Sequence, residues 1–430
     1  MWKLTRGRHV ALRLDTLTHR HIPRTVWDGL RSPCRLRTLD LELRHPVVRV
    51  AGQPWWATAA RFPMSLAAQL GSLWKFDNLQ IIRLRVINHW IDCWASSFLA
   101  MLRQSSSLYN LSIDLSPSVH SMRREDSIIR DLAKLGECPS LRVLNLQLNR
   151  NPINDQAALY LAQGICASSS IQALTLGLSQ DRSIFTRFTR FTSAGVEALA
   201  GVTRVPSLRE LCLNLSYQVG IDAQGVNSIA VASSSLQSLT LDLKGCRIGV
   251  AVARVIKNMT ALAVLHLNLG FNLMGNKGVE CLSELRTSPS LHTLTLDLSL
   301  NDFGDPGAQE LARLGQSSSL CNLKLVLCGN RVGNIGAKAM ATLALGTALR
   351  TLTLNLNDNR VGGEGANALA DLRPGDSSLR AVTLGLEHNR IGKGCAQHLL
   401  QWLDNQAATR PHFDCLCSMH YAPCIMHYEL

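Results

Sequence analysis

The chain has 430 residues, 46% hydrophobic, 5% aromatic and 17% charged, with a formal net charge of +13. So few rings imply an aliphatic core, and the 14 Pro in a mixed composition argue against a disordered chain. The 13 Cys are odd in number and lack framework spacing, so they do not read as a disulfide scaffold and suit a reducing, cytoplasmic setting.

Taken in chain order, residues 1–35 are Arg-rich and acid-poor and contain no continuous apolar stretch of the secretory kind. Their alternation Val10, Leu12, Leu14 predicts a cap or a degenerate repeat, with a mitochondrial targeting segment as the alternative. Residues 1–100 hold 15 Lys and Arg against 6 Asp and Glu, a net +9 of the total +13. Such a bias suits either a solvated basic cap or contact with an acidic partner. Residues 36–140 carry the first irregular copies of a repeat, opening at Leu36, Leu79 and Leu108, with an insertion over 45–78 that contains Trp55, Trp56 and Trp74. Seven of the eight Trp precede residue 95. Rings are therefore expected to close the core where the Leu pattern is poor.

Residues 141–405 are regular. Copies open at Leu141, Ile171, Leu208, Leu236, Leu262, Leu291, Leu320, Leu349 and Leu379, the last three spacings being 29, 29 and 30 residues. The consensus is L-x-x-L-x-L-x-L-x-x-N-x-φ-G, with φ apolar. Alternating Leu is the signature of a strand with one buried face. The Asn recurs at Asn151, Asn272, Asn301, Asn330, Asn359 and Asn389, where a buried amide can satisfy main-chain groups of neighbouring copies. Cys246 takes its place in one copy. Gly follows at Gly249, Gly275, Gly304, Gly333, Gly362 and Gly392, and again at Gly278, Gly307, Gly336 and Gly365, predicting positive φ or close backbone approach. A helix is then expected, with Asp305 as N-cap, Pro306 as first helical residue and Ala308, Leu311, Ala312 and Leu314 on its buried face. A return rich in Ser or Pro, such as Ser317–Ser319, leads to the next strand. Residues 406–430 form a C-terminal cap in which Phe413, Cys415 and Cys417 alternate like a last short strand.

This pattern resembles the leucine-rich-repeat family, specifically the ribonuclease-inhibitor-like subclass of long repeats, over roughly residues 36–400. The resemblance implies an α/β solenoid, a horseshoe with a parallel sheet on its concave face and helices on its convex face. One departure is evident: each strand reads as two residues longer than the family's, which predicts a deeper concave sheet.

Candidate chemistry is sparse. No G-x-x-x-x-G-K-[ST], G-x-S-x-G or H-E-x-x-H motif exists, so no enzyme, nucleotide site or small-molecule substrate is expected. No cofactor or metal is expected either. Cys415, Cys417, His420, Cys424 and His427 are zinc-ligand types, but their spacing matches no standard zinc site and suits small buried residues of a cap. No apolar run is long enough to cross a membrane. The outward residues of the strands are small and polar; Asn268, Asp297, Lys324 and Asn355 are the candidate contacts among them. Arg331, Arg360 and Arg390 follow the Asn in three consecutive copies, with Arg247 in the same slot further back. These are expected to stack on one rim and offer a stripe of guanidinium groups to an acidic segment. Asp358 and Glu387 are expected to neutralise part of that rim. The pattern predicts a non-catalytic scaffold that binds a protein partner through the concave sheet or the adjoining loop rim; nucleic acid is not expected. Two alternatives stand beside it. The resemblance admits a regulator of a small GTPase of the activating-protein type, and the basic first hundred residues suit a structural subunit of an organellar or ribonucleoprotein assembly.

Overall fold

The computed structural model describes residues 2–5, 9–15, 36–44, 78–87, 98–100, 102–116, 126–180, 191–232, 236–256, 261–370, 372, 378–392, 394–395 and 414–418. The chain divides into two compact units, Met1–Gly220 and Ile221–Leu430. Residues 45–77, with the Trp-bearing insertion, and His420, Cys424 and His427 lie outside the described residues.

The first unit carries strands β1 Trp2–Thr5, β2 His9–Asp15, β3 Thr38–Arg44, β4 Ile81–Ile87, β5 Asn110–Asp114, β6 Val143–Gln147, β7 Ala173–Gly177 and β8 Glu210–Asn214. Its helices are α1 Asp126–Ala133, α2 Asp155–Cys166 and α3 Ser193–Ala200. β1 and β2 pair antiparallel, and β2 through β8 run parallel in chain order. Val10 stands opposite Leu39 and Leu12 opposite Leu41, so β2 continues the Leu frame of β3.

The second unit alternates helix and strand from α4 to β14: α4 Ala223–Ala232, β9 Ser238–Asp242, α5 Gly249–Ile256, β10 Val264–Asn268, α6 Gly275–Ser283, β11 Thr293–Asp297, α7 Asp305–Ala312, β12 Asn322–Val326, α8 Asn334–Ala341, β13 Thr351–Asn355, α9 Gly363–Ala370 and β14 Ala381–Gly385, with β15 Asp414–Ser418 the last described strand. β9 through β15 pair parallel in chain order, with Leu opposite Leu, as Leu294 opposite Leu265 and Leu323. β15 sets Cys415 opposite Val382 and Cys417 opposite Leu384.

Each coil closes its core the same way. In the coil from Leu291, the inward Leu294, Leu296 and Leu298, Phe303 after the turn, and Ala308, Leu311 and Leu314 of the helical leg are all at most 1% exposed. The helical leg tightens into a 3-10 turn at Arg313–Gln316, and Leu314, three residues after Leu311, stays on the buried face. In the return, Ser317 Oγ accepts from Leu320 N, and Ser319 Oγ donates to the Ser288 carbonyl of the previous coil at 2.7 Å.

Two sequence expectations are corrected. The strands from β5 to β14 have five residues and are not extended. The third Leu is buried but lies in the turn, because the outward Asp or Asn before it bends the chain: Asp297 Oδ1 accepts from Ser299 N at 2.9 Å. The inter-coil ladder nevertheless continues past the strand, with Leu298 N donating to Val326 O and Leu300 N to Cys328 O. Second, the helix start is displaced by one. Gly304 is the N-cap and Asp305 the first helical residue. The turn glycines divide between the two expectations: Gly249 and Gly275 have positive φ, and Gly304 and Gly362 meet the backbone of the next coil closely, bridging Arg331 and Arg390. A left-handed position also precedes the ladder Asn, at Arg150, Phe271, Leu300, Asp358 and His388 as well as Gly245 and Gly329.

The glycines three residues on have a different cause. Asp305 Oδ1 reaches into the next coil and accepts from Gly333 N at 2.6 Å and Gly336 N at 2.8 Å, capping α8. Asn276 caps α7 through Gly304 N and Gly307 N in the same way, and Asn334 caps α9 through Gly362 N and Gly365 N. A Cβ on Gly307, Gly336 or Gly365 would sit 3.0, 2.7 or 2.9 Å from the capping oxygen. Two coils that follow a coil without a capping side chain replace the glycine, whereas Gly278 is kept after Val250, its Cβ position lying 2.7 Å from Met274 Cβ. Ala223 precedes Val252, and Gly363 precedes Cys395, whose Sγ lies 2.6 Å from a Cβ placed on Gly363.

Candidate interaction surface

The strand exits are held rigid by buried amides. Asn330 Nδ2 donates to Leu327 O within its coil at 2.9 Å and to Leu298 O of the preceding coil at 3.0 Å. Its Oδ1 accepts Asn301 N, again across coils, at 3.0 Å. Asn272, Asn301, Asn359 and Asn389 repeat the arrangement in the second unit. In the first unit Asn151 donates to Leu115 O and Leu148 O. Gln218 takes the same slot two coils later and reaches Leu178 O of the coil between at 2.7 Å. Cys246, in that slot of its coil, is buried with its Sγ 3.8 Å from Lys244 O.

Anchored by this ladder, the residue after each Asn lies on the rim. The backbone N–H of Arg331, Arg360 and Arg390 donates to Phe303 O, Val332 O and Val361 O of the preceding coils, all at 2.8 Å. The three side chains are exposed and stacked one coil apart. Arg247 occupies the same slot but with a left-handed backbone, φ 59°. Neutralisation differs from the expectation. Asp302, one coil back, pairs with Arg331 at 2.5 Å. Asp358 is engaged by His388 at 3.1 Å and by the Cys328 thiol at 3.2 Å, while Glu387 accepts from Asn357. Among the described residues Arg360 and Arg390 have no ion-pair partner.

The outward residues of the strands are half-buried, and most close their own turn. Asn268 Oδ1 accepts from Gly270 N, Asp297 Oδ1 from Ser299 N and Oγ, and Asn355 Oδ1 from Asn357 N. Asn268 also donates to Asp242, whose carboxyl is pushed up by burial. Lys324 stands exposed in β12, and burial followed by the Lys324 charge holds His266 below its ordinary range. The four predicted sheet contacts thus belong to one exposed face of the second unit, but three of them already serve the turn.

Three stretches of this unit, residues 264–283, 290–312 and 348–370, match the family model described as Leucine Rich repeat. Those three stretches are leucine-rich repeats. No curated protein sequence matches it. Solved structures that resemble it include an internalin, inlF, from Listeria monocytogenes str. 4b F2365, at 17% identity over 84% of this chain and 90% of that one, with a TM-score of 0.40. A chain in the crystal structure of the Rad7 and Elc1 complex in yeast is 14% identical over 77% of this chain and 82% of its own, with a TM-score of 0.37. Leucine-rich repeats, like other solenoids, present extended surfaces formed before any partner arrives.

The first unit carries a second surface, of paired charges. On β2–β5 one outward column runs Arg13, Glu42, Arg85, Asp114 in register. Arg13 pairs with Glu42 at 3.1 Å, Arg85 with Asp114 at 3.2 Å, and Asp40 with both Arg83 and His9. All of these except His9 line an open hollow of about 560 Å³. The signal was present as strict alternation in Thr38–Arg44 and Ile81–Ile87, but net charge concealed it: the basic excess of residues 1–100 is cancelled locally on this face. Among the described residues no cluster of His, Cys, Asp and Glu is placed to hold a metal ion, and no helix is long and apolar enough to cross a membrane. Eight described cysteines are free thiols. Burial and then the Asp358 carboxylate push the Cys328 thiol up to about 12, so it is no nucleophile at neutral pH.

Proposed function

We propose that the protein is a non-catalytic interaction scaffold whose second unit engages an acidic segment of a protein partner along the rim. The observation that supports this reading is the pair Arg360 and Arg390, stacked one coil apart on a rim held by the Asn ladder and lacking ion-pair partners among the described residues. Guanidinium groups fixed at that spacing suit carboxylates presented by an extended chain. The backbone of the rim is ordered by folding, so binding carries little further ordering cost. Attraction of this kind raises the association rate and weakens as salt screens it. Cross-linking followed by mass spectrometry on the full chain should recover a stoichiometric protein partner whose cross-links map to the rim, and Arg360→Glu with Arg390→Glu should abolish recovery without changing the unfolding midpoint. A partner retained undiminished by that double variant would refute the rim reading.

A further inference from the structure

We infer that the rim of the second unit carries an apolar anchor site beside its arginines, built from Phe271, Leu273 and Leu300, and that it takes a large hydrophobic side chain flanked by carboxylates on a partner protein. The inference rests on the scaffold reading above and names the chemistry of its partner.

Phe271 and Leu300 hold equivalent positions in adjacent coils, tied by the bond from Phe271 N to Ser299 O at 2.9 Å. Both are in the left-handed region, φ 58° and 54°. Gly245 and Gly329 occupy the same position in the coils before and after, so the turn accepts glycine and does not call for an aromatic or a leucine. Leu273, two residues past Phe271, is left-handed too, φ 54°, and is 76% exposed. Its side chain therefore adds nothing to the core while its backbone is strained. Arg247 and Asp302 share that backbone in the same slot, φ 59° and 61°, so the conformation belongs to the turn, and it is the exposed apolar side chain itself that folding leaves unexplained. The Leu300 side chain lies against Gly329, 2.6 Å from where a Cβ would stand, so the patch ends at a glycine that gives it room.

The border of the patch is basic. The Lys244 ammonium lies 5.4 Å from the centre of the Phe271 ring, and Arg247 is exposed in the slot of Leu273 one coil earlier. Arg331 and its partner Asp302 close the other side. An apolar centre within a polar, cationic border is the anatomy of a binding hot spot. Charge complementarity selects an acidic segment, and the apolar centre selects a protein over a simple polyanion.

The test is selection of phage-displayed random peptides on the full chain, followed by fluorescence polarisation with the synthesised winners. Enriched peptides should carry Leu, Phe, Trp or Met between Asp or Glu residues. Leu273→Gly removes the anchor and relieves the backbone strain, so the unfolding midpoint should hold or rise while affinity falls about tenfold or more. Arg247→Glu should weaken binding similarly. Absence of enrichment over bare support, winners without acidic residues, or affinity within about twofold of the parent in Leu273→Gly would each overturn the proposal. Binding lost in Arg360→Glu with Arg390→Glu but kept in Leu273→Gly would leave the rim reading standing and remove this one; the opposite pattern would do the reverse. A thymidine oligonucleotide bound more tightly than the winners, and equally by Leu273→Gly, would also overturn it.

Discussion

Asp305→Ala isolates the cross-coil cap. In the parent, one carboxylate oxygen accepts from Gly333 N at 2.6 Å and Gly336 N at 2.8 Å, two of the first-turn donors that α8 cannot satisfy internally. Loss of a cap costs about 1 kcal/mol, within a range of roughly 0.5–2. A carboxylate near a helix N-terminus contributes a further few tenths through the dipole, so the expected loss is about 1–2 kcal/mol. For a unit near two hundred residues, that lowers the melting temperature by roughly 2–8 °C. Asp305→Asn supplies the control, because Asn276 and Asn334 cap their neighbours through the same geometry, at 2.9 and 3.1 Å and at 2.7 and 3.1 Å. It should retain most of the stability, losing about 0.5 kcal/mol or less. Amide hydrogen exchange reads the mechanism directly. Gly333 and Gly336 should lose protection in Asp305→Ala, while Gly304 and Gly307, capped from Asn276, keep theirs. An unchanged melting temperature in Asp305→Ala, or equal losses in the Ala and Asn variants, would refute the cross-coil capping argument.

The glycine partner gives the complementary case: Gly336→Ala sets a Cβ 2.7 Å from Asp305 Oδ1 and 2.8 Å from Val332 Cγ1, and should destabilise by about 1–3 kcal/mol in urea unfolding. Part of that loss should be recovered with Asp305→Gly, the combination that the Gly363 and Cys395 pair already uses. Cys328, with its thiol pushed up to about 12, should react with iodoacetamide at pH 8 about a thousandfold more slowly in the native protein than after unfolding, and Asp358→Ala should shrink the difference. For His266, burial and Lys324 favour the neutral ring, so its folded pKa is depressed below the unfolded value. The stability this confers is complete above the ordinary value of 6.5 and is lost as pH falls through the lower, folded value. His266→Gln should therefore gain stability relative to the parent as the solution is acidified, and an NMR titration of the ring should give a midpoint below 6.5. Asp40→Asn removes the charge shared by His9 and Arg83, but all three side chains are substantially exposed, so urea unfolding should change by less than about 1 kcal/mol.

The coil was legible in the sequence because burial imposes it directly. Alternating Leu up to Leu298 and the helical face Ala308, Leu311 and Leu314 face one dry interior, and any polar residue there would carry a desolvation cost. The ends of the elements were not legible, because polar side chains decide them and polar side chains have more than one use. Asp305 has the type and position of an N-cap, and only the neighbouring coil shows that it caps a helix other than its own. The left-handed turn escaped detection for a related reason. Glycine marks it at Gly245 and Gly329, but His388 adopts it as well, as do Arg150, Phe271, Leu300 and Asp358, the last four held there by inter-coil hydrogen bonds. The division at Gly220 falls within regular repeats, where no change of composition announces it.

The same distinction bears on where binding belongs. Asn268, Asp297 and Asn355 face outward, yet each spends an oxygen on the backbone two residues ahead, so turn formation alone explains their identity. Outward polarity on these strands is therefore weak evidence for a partner. Leu273, Arg360 and Arg390 satisfy no such internal need: the leucine is exposed on a strained backbone, and the two arginines use only their main-chain N–H groups to hold the coil. Residues whose side chains the fold does not use are the ones that remain for recognition, and all three lie on the rim of the second unit. Substitution there should separate binding from stability, whereas substitution of Asn268, Asp297 or Asn355 should change both together.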